Sequence, residues 1–153
     1  MYYTVEEISA AILEAKEVIN SRTKLVTTYT RGYNDCWALL VEYDKALKGD
    51  KSNFKDFENL TYRSAIEFFI KLSRLGYKSY DELATKNNYR VITNQRPKHG
   101  DIAFEILRDR IGTAMIAEND SWVSTSEFNL GVIIRRPIRV KESINLLARP
   151  IKG

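Results

Sequence analysis

The stretch Arg31-Gly32-Tyr33-Asn34-Asp35-Cys36-Trp37-Ala38-Leu39-Leu40 passes from a polar loop into an apolar helical run. Asn34 is a good N-cap at that boundary, so the spacing predicts Asp35 and Cys36 in the first helical turn. Cys36, Leu39, Leu40, Tyr43 and Leu47 then share one face, and Gly49 ends the helix. A thiol in a first turn meets unpaired backbone N–H groups and the positive end of the macrodipole, both of which favour thiolate. Cys36 is thereby a candidate nucleophile. The competing reading is a small buried apolar residue, the usual fate of a free cysteine.

Upstream, Thr4-Val5-Glu6-Glu7 is a capping box that opens an N-terminal amphipathic helix over residues 1–20. Val5, Ile8, Ile12, Ala15 and Ile19 form its apolar stripe, expected to close the core or to dock on another subunit. Residues 21–34 read as an irregular connection. Downstream, a third helix runs from Thr61 or Ser64 to Leu75, with Ile66, Phe69, Ile70 and Leu72 inward and Gly76 as its stop. Ser79-Tyr80-Asp81-Glu82 caps a short helix that ends near Asn87 and Asn88. The period then changes to alternation, with strands expected at Tyr89 to Thr93, Asp101 to Leu107, Thr113 to Glu118, Ser121 to Ser126 and Gly131 to Ile138. Helices first and strands afterwards predict an α+β fold, N-terminal helices packed on a C-terminal antiparallel sheet, as one domain over residues 1–153 with its core at 25–138.

The 153 residues are 44% hydrophobic and 29% charged, the ordinary range for one globular core. No apolar run approaches a membrane span, and the N-terminus lacks the basic and apolar regions of a secretory signal. One cysteine and one histidine cannot form a disulfide or the usual Cys/His zinc site, so neither metal nor cofactor is expected. The net charge of +4 is mild. Its excess lies late in the chain, at Arg135, Arg136, Arg139, Lys141, Arg149 and Lys152, which read either as a solvated strand face or as a docking surface. No nucleic-acid motif accompanies them, which disfavours a nucleic-acid partner.

Three motifs stand in order: the Asp35-Cys36 helix, a Pro97-x-x-Gly100-Asp101 turn into Ile102-Ala103-Phe104, and the strand Gly112-Thr113-Ala114-Met115-Ile116-Ala117. That order resembles the NlpC/P60 group of papain-like cysteine peptidases and amidases. Gly32-x-x-Asp35-Cys36, Leu47-Lys48-Gly49-Asp50 and the later Gly-Asp strand look like a phage-encoded, virion-associated branch of that fold. The resemblance covers roughly residues 25 to 138. It implies Cys36 as nucleophile, with a histidine at the head of the strand after the Gly-Asp strand as base. This chain has Thr113 there, or Gly112 in the adjacent register, and neither accepts a thiol proton. The family's third polar residue would fall near Ser124 or Thr125.

His99, the sole histidine, is the one side chain that could complete a Cys-His pair, against a simpler role as a solvated turn residue. Asp35 and Asp101 read first as a helix-start carboxylate and a turn residue. Trp122, beside a hairpin turn, is the better placed tryptophan to stand exposed and contact a partner, together with Arg135, Arg136 and Arg139. Nine tyrosines suit a chain that contacts other chains.

The resemblance implies a catalytically degenerate structural or assembly component of a phage virion, at the tail or neck. Its partners would be other virion proteins, and it would be made in the host cytoplasm and located in the particle. The alternative is an active hydrolase cleaving peptide or amide bonds of peptidoglycan through Cys36. The missing base weighs against an enzyme, because amide cleavage also needs a proton delivered to the leaving amine.

Overall fold

The computed structural model describes residues 1–25, 28–57, 60–62, 64–105, 113–125, 133–137 and 144–153. Among the described residues four α-helices precede the sheet: α1 (Val5–Leu25), α2 (Cys36–Lys48), α3 (Ala65–Arg74) and α4 (Tyr80–Lys86). Six described strands follow: β1 (Tyr89–Val91), β2 (Ile102–Glu105), β3 (Thr113–Glu118), β4 (Ser121–Thr125), β5 (Ile133–Pro137) and β6 (Ile144–Pro150). They form one sheet in the order β1-β6-β2-β3-β4-β5, antiparallel at every step. The α+β layout expected from the change of period is therefore present. Among the described residues no helix is long and apolar enough to cross a membrane.

The capping box of α1 closes as expected, Glu7 N–H donating to Thr4 Oγ1 and Thr4 N–H to Glu7 Oε1, both at 3.1 Å. The buried stripe is Ile8, Ala11, Ile12, Ala15 and Ile19. Val5, expected in that stripe, is instead 61% exposed at the first residue of the helix. The helix also continues to Leu25, through the start of the segment read as a connection. Asp35, and not Asn34, caps α2: its carboxylate accepts from Ala38 N–H at 2.9 Å. Asn34 instead braces the preceding loop, donating to Thr28 O and accepting from Thr30 N–H.

Ser64 caps α3 as one of the two starts anticipated, and Gly76 takes its left-handed φ of +95°. The inward face is different. Phe68 and Leu72, one turn apart, are buried, so Phe69 and Ile70 rotate outward and are 44% and 46% exposed.

The last strand was absent from the sequence expectations, which ended the core at residue 138. β6 lies between β1 and β2, one strand in from the β1 edge of the sheet, pairing Arg90 with Arg149 and Ala103 with Leu147. It joins the two ends of the chain, since Tyr2 bridges Ile151 and Lys152 N–H donates to Met1 O at 2.7 Å.

Both sheet faces are apolar. Ile102, Phe104, Ala114, Ile116, Val123, Leu146 and Ala148 join the main core with the helices. Ala103, Met115, Ala117, Trp122 and Leu147 alternate with them and form a second cluster with Ile92 on the other face. Trp37 anchors the main core, its ring 5.0 Å from Phe68 and 5.4 Å from Phe57.

Candidate functional site

The head of α2 points Cys36 at the start of β3, where its sulfur accepts the N–H of Ala114 at 3.4 Å. Three features of the chain produce that approach. Gly32 turns with φ +86° so close to the Leu60–Thr61 backbone that a Cβ would sit 1.9 Å from Leu60 O. That contact brings Tyr62 to Asp35, whose second carboxylate oxygen accepts from the Tyr62 hydroxyl. Asp35 is thus spent twice, on capping α2 and on Tyr62, and is 1% exposed.

Electrostatics at the sulfur run against the macrodipole. Cys36 keeps some surface in solvent, but its thiol is enclosed, and burial first and the Asp35 charge second push it up to about 12, outweighing the N–H groups of Ala114, Cys36 and Trp37. Burial likewise raises the Asp35 carboxyl, opposed by the Tyr62 and Ala38 hydrogen bonds. The Tyr62 hydroxyl is held far above its ordinary range by burial and by Asp35. A thiol at about 12 is thiolate in only about one molecule in 10⁵ at pH 7.

His99 does not reach this cluster. Its Nδ1 accepts from Asn119 N–H at 3.0 Å, which puts the ring proton on Nε2, facing Ser9 Oγ at 2.9 Å. Asn119 follows the far end of β3 from Ala114, roughly 16 Å away at about 3.3 Å per strand residue. The ring therefore ties the turn before β2 to α1, far from the sulfur. Ser124 donates to Ala114 O at 2.9 Å, and the Thr125 hydroxyl is buried with no partner among the described residues. Gly112 lies outside the described residues.

Trp122 is 2% exposed. The expectation of an exposed partner contact is corrected: alternation along β4 turns its ring into the second apolar cluster, against Met115, Ala117 and their neighbours. Arg135 and Arg136 lie on β5, opposite Val123 and Trp122 in register. Arg139 lies outside the described residues.

Asp101 is fully buried, gripped by Arg149 through Nε at 2.8 Å and Nη2 at 2.9 Å, and it accepts from Lys98 N–H at 2.7 Å. Its role in holding the turn is the structural one anticipated. Sequence reasoning missed Tyr62, which stands 27 positions from its partner. It also missed a buried network on Asp44, which binds Lys48 at 2.7 Å, Tyr89 at 2.6 Å and Ser52 at 2.5 Å. Lys48 further stacks 3.9 Å from the Tyr89 ring centre. Only the i,i+4 spacing of Asp44 and Lys48 was a signal available in advance.

A cavity of about 190 Å³ opens beside the loop that leads to Cys36, between Arg22, Tyr33, Glu42 and Phe57, without reaching the sulfur. Among the described residues no three His, Cys, Asp or Glu side chains converge as a metal site. No protein-family model, curated protein or solved structure matches this chain.

Proposed function

We propose that this chain is a structural or assembly component of a phage virion, at the tail or neck, built on an NlpC/P60-like fold without catalytic power. The observation that carries this reading is a cysteine kept at the head of α2 with its thiol pushed up to about 12 and with a backbone N–H as its contact from β3. The geometry suits the resemblance: Cys36 faces the head of the strand that follows the Gly-Asp strand, and Ser124 lies on the next one. The position that would need a base carries Thr113. Asp35 has both oxygens committed, and His99 is held at the other end of β3. The virion assignment itself rests on the motifs at Gly32, Asp35-Cys36, Lys48-Gly49-Asp50 and Gly100-Asp101. The partners are then other virion proteins, and peptidoglycan is not a substrate.

Mass spectrometry of purified particles tests the reading. The chain is expected at a fixed copy number in every preparation, and its absence from particles overturns the assignment. A peptidoglycan-release assay supplies the other arm: activity that disappears in Cys36→Ala would replace this reading with the hydrolase.

A further inference from the structure

The outward face of α1 carries Leu13, 58% exposed, beside Ala10. Glu6 and Glu14 each lie four residues from Ala10, and Glu17 lies four from Leu13, and no described cation pairs with any of the three. The corner formed by α3 and the turn after it is the opposite in charge. Phe69, Ile70 and Leu75 are 44%, 46% and 40% exposed there. Arg74, one turn beyond Ile70, has no described anionic partner, and Lys78 adds a second exposed cation beside the Glu82 carboxylate, which its backbone N–H also meets at 3.1 Å.

Each patch is thus an apolar centre with unneutralised charge at its edge, and the two charges are of opposite sign. Apolar side chains at the centre supply the area removed from water, and the complementary rim sets register and orientation. We propose that copies of this chain associate head to tail, the outward face of α1 on one copy seated on the α3–α4 corner of the next. The two surfaces lie on different elements, so the contact is heterologous: an open assembly still presents one free patch of each kind, one at either end, and assembly continues into a ring or a filament. The inference stands on these surfaces alone and holds whether or not the chain belongs to a virion.

Sedimentation velocity of the full chain over a wide concentration range, at low and at high salt, reads the result. Species beyond the dimer are expected, weakening as salt screens the rim. Glu14→Lys/Glu17→Lys and Arg74→Glu/Lys78→Glu should each weaken association at least about tenfold, because like charges then face each other. All four positions are exposed, and unchanged circular dichroism verifies that each variant folds. Mixing the two variants, or joining all four changes in one chain, restores the opposite-sign contact and should restore assembly. A chain that stays monomeric, a species that stops at the dimer, or association indifferent to the reversals overturns the proposal. So does capture of monomer by anionic phosphatidylglycerol vesicles through Phe69 and Ile70.

Discussion

Two adjacent residues at the head of α2 pull in opposite directions. A first-turn cysteine gains from the macrodipole, worth up to about 2 kcal/mol in a partly buried setting, but enclosure and the neighbouring Asp35 carboxylate outweigh it. Alkylation of Cys36 by iodoacetamide should therefore be slow at pH 7 and rise about tenfold per pH unit up to about pH 9 without a plateau, as follows for a thiol at about 12. His99→Ala should leave that profile unchanged, since His99 is held by Ser9 and Asn119. A plateau below pH 9 would mean an activated thiol instead. At Asp35 the cap and the buried charge separate by substitution. Asp35→Ala removes the cap and strands the Tyr62 hydroxyl and the Ala38 N–H, a loss of about 2–4 kcal/mol. Asp35→Asn keeps an acceptor and sheds the buried charge, so urea unfolding should place it within about 1 kcal/mol of the parent.

Elements here are positioned by a few close approaches. The loop before α2 can touch the Leu60–Thr61 backbone because residue 32 has no side chain. Gly32→Ala would force backbone against backbone in a left-handed conformation, and a loss of roughly 3 kcal/mol or more is expected in chemical denaturation. Tyr62 would then leave Asp35. Strand β6 has a different vulnerability. Leu146 faces the helices and Leu147 the second cluster, 4% and 9% exposed. Both flanking strands depend on its edges. Leu146→Ala should cost about 2–4 kcal/mol, measurable as a shift in urea midpoint with the m-value unchanged. A change within about 0.5 kcal/mol would mean that the sheet does not lean on this strand.

Across the whole molecule the buried hydroxyls and the thiol share one pH signature. Cys36, Tyr43, Tyr62 and Tyr89 all have folded values raised above the ordinary 9.0 for the thiol and 10.0 for the phenols, chiefly by burial. Between the unfolded and folded values the unfolded chain has lost protons that the folded one keeps, so stability falls as pH rises. The contribution is complete below about pH 9 and is lost progressively above it. Burial lowers Lys48, against the pull of Asp44, so its contribution has the opposite sign in the window below 10.5, one group against four. The urea midpoint should accordingly decline steadily from about pH 9 to 11, and a flat profile there would mean that these groups are open to water in the folded chain.

Local patterns carried much of this architecture. Capping at Thr4, Ser64 and Ser79, the left-handed Gly76 and the change from helical to alternating period are properties of short stretches, and all appear in the folded chain. The head of α2 was legible for the same reason, to within one residue of its cap. What the tertiary structure decided is everything that depends on distant partners. β6 is buried on both faces, so it lacks the alternation that marks a half-exposed strand. The outward turn of Phe69 and Ile70 follows from which face meets Trp37, and the burial of Trp122 from a second cluster assembled by four separate strands and Ile92. The protonation of Cys36 was decided in the same way: position on a helix is local and favours the thiolate, whereas desolvation is set by the strands and loops that close over the sulfur, and desolvation is the larger effect.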